Sequence, residues 1–296
     1  MTLQDMARMI GLAAIWGGSF LFLHLGAPVF GPAVLVELRV GIAALFLLGV
    51  CLWLGRKPRL LKNWRHFLIV GWFNSALPFM LFAFAARTLS ASLLSILNST
   101  APIFAALLGV FWLRQPVSRS AALGLALGVA GVGTLVGGEV AARGENWWLA
   151  LAAGLLAPFC YGIASAYAKK SSAAVDPIDN AHGSMWASVV LVLPFALFLP
   201  VPMTPKPLDW AAVTALGVMC TGAAYLLYFK LIEDVGPMRA LSVTFLIPVF
   251  GVLWGVLFLG DSVGWNMALG GALVVLGTAL ANGVLNLGRS PDPARA

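Results

Sequence analysis

The sequence predicts an all-α polytopic membrane protein, in which ten transmembrane helices form two inverted five-helix repeats around a central cavity. Two observations lead to this fold class. First, 61% of the 296 residues are hydrophobic, only 10% are charged, and the mean hydropathy is +0.95, whereas soluble domains carry about 25% charged residues. Second, the C-terminal half of the chain repeats the sequence of the N-terminal half. A chain of this composition cannot cover itself with a hydrated surface, so we expect most of it to lie in a lipid bilayer.

Apolar stretches of about 20 residues, the length that crosses the hydrocarbon core of a bilayer, recur ten times. The breaks between them fall at turn-forming or charged segments, such as Gly26-Ala27-Pro28 and Pro200-Val201-Pro202. The first stretch has no convincing signal-peptide cleavage site, so we interpret it as a retained helix. The predicted spans are 7–25, 33–54, 67–88, 92–113, 119–137, 147–168, 177–199, 208–230, 237–259 and 264–287.

The distribution of basic residues predicts the orientation of these spans. With the N-terminus in the cytoplasm, the cytoplasmic connections hold most of the Lys and Arg residues, including the run from Arg56 to Arg65. The opposite side keeps only Arg87, Arg143 and Lys206. This asymmetry follows the positive-inside rule, so we expect both termini to be cytoplasmic.

An internal repeat divides the chain into two halves. Shifting the chain by 146 residues (248 − 102) aligns Pro102–Gly131 with Pro248–Gly277 without a gap, and 14 of the 30 aligned positions are identical. Five helices per half is an odd number, so the second half must cross the membrane in the opposite direction. The charges of equivalent loops agree with this inversion, because they are exchanged between the halves. Inverted repeats are typical of carriers, whose halves rock around a central site. The predicted units are 1–145 and 146–288, each a five-helix repeat, followed by a disordered C-terminal tail at 289–296.

Helix 4 carries polar residues and a proline where it should cross the bilayer centre. Ser92, Ser95, Asn98 and Pro102 recur at helical spacing, so this face cannot point at lipid, where an unsatisfied polar group costs several kcal/mol. Pro102 removes the hydrogen bond to the Asn98 carbonyl, and Pro248 acts in the same way in helix 9. We therefore expect hinges at these two prolines. The alternative is that the polar groups only bond their own helix, as Ser and Thr often do.

We expect helices 3, 4, 8 and 9 to line a central cavity, with helices 1 and 6 adding aromatic walls. For each aromatic residue the alternative is ordinary packing or a place at the membrane interface. The predicted cavity residues are Trp16, Ser19, Asn74, Pro78, Phe82, Ser95, Asn98, Ser99, Tyr161, Ser165, Tyr225, Tyr228 and Thr244.

Ionisable residues are nearly absent from the predicted spans. There is no central carboxylate to carry a proton, and no cluster of Lys or Arg to bind phosphates. Glu37 and Arg39 are exceptions, a short way inside the outer boundary; two positions apart on a helix, they do not face each other. We expect both to be gating candidates, and for Arg39 we favour a structural or gating role over substrate contact.

Several function classes lack their signatures. We find no nucleophile–base pair at a suitable depth, no metal-ligand constellation and no phosphate-binding Gly-rich loop, so we expect neither an enzyme nor an ATP-driven pump, and no catalytic residue, metal or cofactor. No basic patch of groove size suggests nucleic acid. The expected partners are a small-molecule substrate and the lipid bilayer. Glycine spacing in helices 5 and 10 favours packing within a monomer, and a dimer is the alternative.

Three motifs carry a resemblance to a known family: IWGGSF near the start, NSTAPIFAALLGVFWLRQPVS at the end of the first half, and LIPVFGVLWGVLFLGDSV at the end of the second. They resemble the drug/metabolite transporter superfamily, specifically its EamA-type carriers, and the similarity extends over nearly all the chain. The family often has Glu after the fourth and ninth helices, a feature that Arg114-Gln115 and Gly260-Asp261 keep only in part. Within the family, the chain looks most like the bacterial aromatic amino-acid exporters of the YddG kind.

This resemblance implies a bacterial inner-membrane carrier that exports amino acids or similar metabolites. The residues agree, because a neutral, aromatic, hydrogen-bonding cavity suits largely uncharged zwitterions better than sugar phosphates. The sequence therefore predicts a secondary transporter that exports such amino acids by alternating access, with facilitated diffusion and proton antiport both open. The alternative is an exporter of amphiphilic cations, which would normally need an accessible carboxylate, for which Glu37 is the candidate.

Overall fold

The computed structural model describes residues 2–56, 60–114, 118–138, 144, 146–171, 175–282 and 284–285. The elements in these ranges are helices. In chain order they are α1 (Leu3–Phe30), α2 (Pro32–Trp53), α3 (Trp64–Ala85), α4 (Ala91–Phe111), α5 (Arg119–Gly138), α6 (Trp147–Lys170), α7 (Pro177–Phe198), α8 (Pro207–Val235), α9 (Val243–Leu259) and α10 (Trp265–Ala281). The predicted tail at 289–296 lies outside the described residues, as do Gln115 and Arg143.

The helices α1 to α8 are long and apolar enough to cross a membrane, which confirms a polytopic, all-helical architecture. The helices α9 and α10 are apolar but shorter, with at most 17 residues each, so their crossing stays a prediction. The predicted span 237–259 begins six residues too early. A separate short helix, Pro237–Ala240, comes before α9, and Gly236 ends α8 with φ +84°. The left-handed backbone of Gly236 turns the chain away from the α8 axis.

The two halves of the chain use the same pairs of helices to pack against each other. Three contacts join helices of the first half to the second: α1 packs on α9, α2 on α8, and α5 on α10. When each helix is replaced by its equivalent in the other half, these contacts become α6 on α4, α7 on α3, and again α10 on α5. All of these contacts are present. The helices α2 and α7 also pack together. Each half therefore completes the core of the other instead of forming a separate bundle.

Glycines at equivalent positions bring helix backbones close together. A methyl group on Gly124 of α5 would lie 2.5 Å from the Gly277 carbonyl oxygen of α10, and one on Gly131 would lie 2.8 Å from the Gly270 carbonyl oxygen. These glycines therefore pack within one chain, whereas a methyl group on Gly133 of α5 would meet no described residue within 4 Å. Small residues at such crossings let helices approach closely without a side chain between them.

The crossings of α1 with α9 and of α6 with α4 also match. A methyl group on Gly17 would lie 2.8 Å from the backbone nitrogen of Gly251, and one on Gly162 would lie 3.1 Å from that of Ala105. Gly251 and Ala105 are 146 residues apart, the offset of the sequence repeat. The closest helix contacts therefore recur in both halves.

Local irregularities recur at the same offset. A π-helical turn interrupts α3 at Trp72–Ala76, and another interrupts α8 at Val218–Ala223. Arg114 after α4 has φ +53° and Gly260 after α9 has φ +70°. A π turn inserts one residue into a helix and redirects the side chains around it, and such turns are frequent at functional sites. The matching turns in α3 and α8 lie next to the residues described below.

Candidate functional site

The π-helical turns of α3 and α8 bring polar side chains together inside the helix bundle. Asn74 donates its Nδ2–H to the Tyr225 hydroxyl oxygen at 3.0 Å. Thr221 accepts a hydrogen bond from Arg39 Nε at 2.9 Å and donates its own hydroxyl to the Leu216 carbonyl, also at 2.9 Å. Leu216 lies five residues before Thr221, the spacing of a π helix, so the irregular turn gives the Thr221 hydroxyl its place. We call Arg39, Asn74, Ser75, Thr221 and Tyr225 the polar centre.

The Ser75 hydroxyl in this polar centre is fully buried. It lies close to the Tyr225 hydroxyl, but within the described ranges it makes no hydrogen bond of normal geometry. A buried hydroxyl without a partner is uncommon in a folded protein and costs free energy of about 1–3 kcal/mol. The polar centre therefore contains hydrogen-bonding capacity that the described part of the chain does not use.

Aromatic side chains from four helices surround the polar centre. The rings of Trp16 and Tyr228 lie 5.3 Å apart, and those of Phe82 and Tyr161 lie 6.3 Å apart. The ring of Tyr225 stacks on Phe229 at 6.0 Å. Six predicted cavity residues thus take part in contacts between the helices α1, α3, α6 and α8: Trp16, Asn74, Phe82, Tyr161, Tyr225 and Tyr228.

Most of the predicted cavity hydroxyls bond to their own helices. Each donates to the carbonyl three residues earlier: Ser19 to Trp16 at 2.6 Å, Ser95 to Ser92 at 2.8 Å, Ser99 to Ile96 at 2.6 Å, and Thr244 to Leu241 at 2.8 Å. This is the alternative that the sequence left open. Pro78 is buried in α3, and the exposed Ser165 makes no hydrogen bond in the part of the chain that the structure describes. These residues shape helices more than they present free hydroxyl groups.

The helix α4 is broken, not only kinked. Its segments are Ala91–Asn98 and Ala101–Phe111, with Ser99 and Thr100 in the break. The Ser99 carbonyl accepts a hydrogen bond from Thr278 of α10 at 2.7 Å. The side chain of Asn98 is half-buried and makes no hydrogen bond to any described residue. The break therefore leaves the Asn98 amide available inside the bundle.

The second half does not repeat this break, so the two prolines stand in different local structures, and their action as hinges stays a prediction. The helix α9 continues from Val243 through Pro248, and the interruption comes earlier, at Leu241 and Ser242. Pro248 thus sits inside an unbroken helix, whereas Pro102 stands in the first turn of a new segment. A proline in the first turn is tolerated because the N–H that it lacks would have no helical partner there.

At one end of the bundle, Asp261 joins α9 to the start of α4. Asp261 Oδ2 accepts hydrogen bonds from the Ser92 backbone N–H at 2.9 Å and from the Ser92 hydroxyl at 2.7 Å. A methyl group on Gly255 would lie 2.4 Å from both of these side-chain oxygens, so only glycine fits there without displacing them. A carboxylate is favourable at a helix N-terminus because the free N–H groups and the helix dipole attract negative charge. We call this end of the bundle the Asp261 end.

The opposite end, which we call the Asp234 end, holds exposed ion pairs. Asp234 contacts Arg8 of α1 and lies 3.0 Å from Lys230, and Arg56 lies 2.9 Å from Asp176. A shallow cavity of about 280 Å³ also opens there, lined by Lys62, Asn63, Trp64, Arg65, His66 and Tyr167. Exposed pairs of this kind contribute little to stability, so they are weak evidence for function.

The two ionisable residues of α2 differ in their surroundings. Arg39 is only 5% exposed, and its guanidinium carbon lies 3.5 Å from the centre of the Phe79 ring. In the part of the chain that the structure describes, no carboxylate lies within 4.0 Å of Arg39. Glu37 Oε2 is buried, and it has no hydrogen-bond partner among the described residues. No group of residues that could hold a metal ion occurs in the described part of the chain.

Sequence reasoning missed two features of this site. The contact of Asp261 with Ser92 joins residues 169 positions apart, and the bond of Arg39 to Thr221 spans 182 positions. A signal for the first was present, since Asp261 stands where the family often has an acidic residue. The second had no sequence signal, because the long arginine side chain carries its charge from near the start of α2 into the bundle.

Comparisons with known proteins show that both halves of the chain match one transporter family. Residues 6–137 and 147–283 each match the EamA-like transporter family. The chain is similar to the uncharacterized transporter YoaV of Bacillus subtilis, with 24% identity over 279 residues, covering 92% of this chain and 94% of that protein. An uncharacterized transporter of Archaeoglobus fulgidus is 22% identical over 273 residues, covering 90% and 93%. A crystal structure with 21% identity and a TM-score of 0.66 covers 93% of this chain and 96% of its own, and shows the shared fold.

Proposed function

The chain belongs to the EamA-like transporter family, and from this premise we propose that it is a secondary carrier that exports amino acids and similar metabolites by alternating access. The preferred substrates are aromatic or other largely uncharged zwitterionic amino acids. The likeness to exporters of the YddG kind is part of this proposal. The carrier works as a monomer in a bacterial inner membrane with both termini cytoplasmic.

The observation that carries the proposal is the combination of aromatic walls with unused hydrogen-bonding groups. Trp16 and Tyr161 are only partly buried and offer apolar ring surfaces, with the buried Phe82 beside Tyr161, while Asn98 and Ser75 lack hydrogen-bond partners among the described residues. Small-molecule sites are mostly apolar and use a few polar groups to orient the ligand. A zwitterion with an aromatic side chain needs both kinds of surface.

Matching contacts in the two halves support two inverted repeats, 1–145 and 146–288, with ten spans. The family matches each half separately, and the glycine crossings and π turns recur at the offset of the repeat. Halves related in this way can rock around a site between them and open it alternately to the two sides of the membrane. In the proposed orientation the Asp261 end faces outward, and its contact between α4 and α9 closes that side.

Counterflow in proteoliposomes against a panel of amino acids and amphiphilic cations tests the proposal. We expect exchange of aromatic amino acids, and measurements with and without a pH gradient separate facilitated diffusion from proton antiport. Exchange of none of the amino acids would contradict the proposed substrate class.

Asn98→Leu tests the site itself. We expect transport to fall about tenfold to a hundredfold, because a hydrogen bond to a charged group contributes about 1.5–3 kcal/mol. The matched control is Ser95→Ala in the same segment, whose hydroxyl bonds only its own helix. Size-exclusion profiles show whether each variant is folded. Unchanged transport by folded Asn98→Leu protein would remove Asn98 from the site.

One observation favours a second function, the export of amphiphilic cations. Glu37 has a carboxylate oxygen that is buried and, within the described part of the chain, without a hydrogen bond. Transport of a quaternary ammonium compound by the wild type, abolished in Glu37→Gln, would favour this function. The buried positive charge of Arg39 on the same helix argues against it, because it repels a cation in the bundle interior.

A further inference from the structure

We propose that Arg39 binds the carboxylate group of the transported substrate, an inference that rests on the proposed transport function. The sequence favoured a structural or gating role because Arg39 lies near the start of α2. In the structure its guanidinium group lies among the other residues of the polar centre, where it contacts Phe79 of α3 and Thr221 of α8.

The first argument is the missing counter-charge. The Arg39 side chain is 95% buried, and no carboxylate of the described residues lies within 4.0 Å of it. Removing an ion from water costs several kcal/mol, which a folded protein normally offsets with a partner charge. Ionisable residues inside membrane proteins usually face a partner or a substrate pathway. A substrate carboxylate would supply the charge that the described part of the chain does not.

The second argument is the geometry of the guanidinium group. Its Nε–H is bonded to Thr221, and one face of the group lies on the Phe79 ring. Its two terminal nitrogens make no hydrogen bond within the described ranges. Thr221 and Phe79 therefore fix the plane of the group, while the terminal N–H groups stay available. Two parallel N–H donors in one plane match the two oxygens of a carboxylate.

The third argument comes from the other half of the chain. A methyl group on Gly217 of α8 would lie 3.1 Å from the Arg39 carbonyl oxygen, and one on Gly71 of α3 would lie 2.8 Å from the Ser184 carbonyl oxygen. Ser184 of α7 therefore occupies the position equivalent to Arg39, and its hydroxyl bonds its own helix at Ala181. A serine is sufficient for this helix crossing. Packing alone does not explain an arginine there.

The neighbours of Arg39 suit the rest of an aromatic amino acid. Tyr161, Tyr225 and Cys220 lie near Arg39, and phenol and thiol groups bring no second charge to it. The Phe79 ring lies against the guanidinium group itself, and the rings of Tyr161 and Phe82 form a second aromatic pair 6.3 Å apart. A substrate with its carboxylate on Arg39 could place its ring against these side chains.

The test compares tryptophan with two analogues, each of which lacks one of its two charged groups. Competition with tryptophan counterflow is measured for tryptophan amide, which lacks the carboxylate, and for indole-3-propionate, which lacks the amino group. Wild-type protein should be inhibited by indole-3-propionate at least tenfold more strongly than by tryptophan amide. Inhibition by tryptophan amide that is as strong as inhibition by unlabelled tryptophan would overturn the proposal without any variant.

Variants of Arg39 provide the second arm of the test. Arg39→Gln should weaken the inhibition by indole-3-propionate about thirtyfold or more, because it removes one partner of a buried charge pair. Arg39→Lys keeps the charge without the planar pair of donors and should recover only part of the effect. Arg87→Gln, an exposed arginine at the Asp261 end, is the matched control. Wild-type inhibition by indole-3-propionate in folded Arg39→Gln protein would overturn the assignment.

The same probes separate this inference from the proposed function. If tryptophan and other amino acids are not exchanged, thermal stabilisation of the purified protein by indole-3-propionate replaces the competition assay. Stabilisation that is lost in Arg39→Gln would then support the carboxylate site while the amino-acid function fails. Amino-acid exchange that is unaffected in Arg39→Gln would leave the function and overturn the role of Arg39.

Discussion

The hydrogen-bond partner of each polar side chain separates residues that shape helices from residues that are open to a ligand. Ser95 and Ser99 donate to carbonyls of their own helix, whereas Asn98 between them has no partner among the described residues. Thr278 has a different structural role, because its hydroxyl donates a hydrogen bond to the Ser99 carbonyl at the break in α4. A buried carbonyl without such a partner would lose the free energy of the missing hydrogen bond.

Replacing Thr278 with valine tests whether this hydrogen bond stabilises the break in α4. The valine side chain has a similar volume but no donor, so the Ser99 carbonyl would be buried without a partner. We expect the free energy of unfolding to fall by about 1–3 kcal/mol, seen as a lower apparent melting temperature of the purified protein. The control is Thr214→Val, an exposed threonine that bonds Trp210 of its own helix at 2.7 Å. Equal melting of Thr278→Val and the wild type would show that the break does not need this bond.

At the scale of helices, glycine positions decide which elements can approach closely. The pairing of α5 with α10 has no bulky side chain between the backbones at Gly124 and Gly277. Close contact of this kind contributes dispersion energy where no hydrophobic effect drives helices together, as in a lipid bilayer. Both helices come from the ends of their halves, so this crossing holds the two halves together.

Gly124→Ala and Gly133→Ala form a matched pair on α5. A methyl group at Gly124 would meet the Gly277 carbonyl at 2.5 Å, whereas at Gly133 it would meet none of the described residues within 4 Å. We expect Gly124→Ala to lower the free energy of unfolding by about 1–3 kcal/mol through overpacking. Gly133→Ala should be neutral or slightly stabilising, because alanine favours helix more than glycine does. A lower melting temperature for both variants alike would point to helix propensity or lipid contact instead of the α10 interface.

On the scale of the whole molecule, the two ends of the bundle differ. At the Asp261 end, the first segment of α4 is buried from Ala91 to Leu97, and α9 packs on it. The second segment, Ala101–Phe111, packs instead on α6 and α10, and only Ile103 and Gly109 in it are buried. The break at Ser99 and Thr100 thus separates a tightly held segment from a more open one. A carrier that closes one side at a time needs such a difference.

Removing the carboxylate of Asp261 tests whether it holds this end closed. In a protein whose native cysteines are replaced, Ser95→Cys is a buried reporter for a membrane-impermeant thiol reagent applied from the Asp261 side. We expect Asp261→Ala to increase the labelling rate several-fold, because α4 loses both hydrogen bonds at Ser92. Asp209→Ala is the control, since Asp209 bonds only Lys206 at the start of its own helix. The same labelling rate in both variants would show that Asp261 does not close this end.

The sequence predicted the helices well because their signal is local. Hydrophobic length and turn residues placed most spans within a few residues of the observed ends. The error at α9 came from Pro237–Ala240, a short helical turn that adjoins the hydrophobic run but is separate from the helix. The sequence also indicated six of these aromatic and polar residues, because an amide or hydroxyl group inside a membrane needs a partner within the bundle.

By itself, then, the sequence determined a polytopic helical protein, the repeat with its offset of 146 residues, the family, and the polar groups that cannot face lipid. These follow from hydrophobicity and periodicity, which each segment expresses without reference to the others. The tertiary structure decided which hydroxyl groups are used within their own helices, where α4 breaks, that Asp261 meets Ser92, and that the Arg39 guanidinium enters the polar centre. Such contacts depend on rotamers and helix crossings between distant parts of the chain, and only the packed molecule sets them.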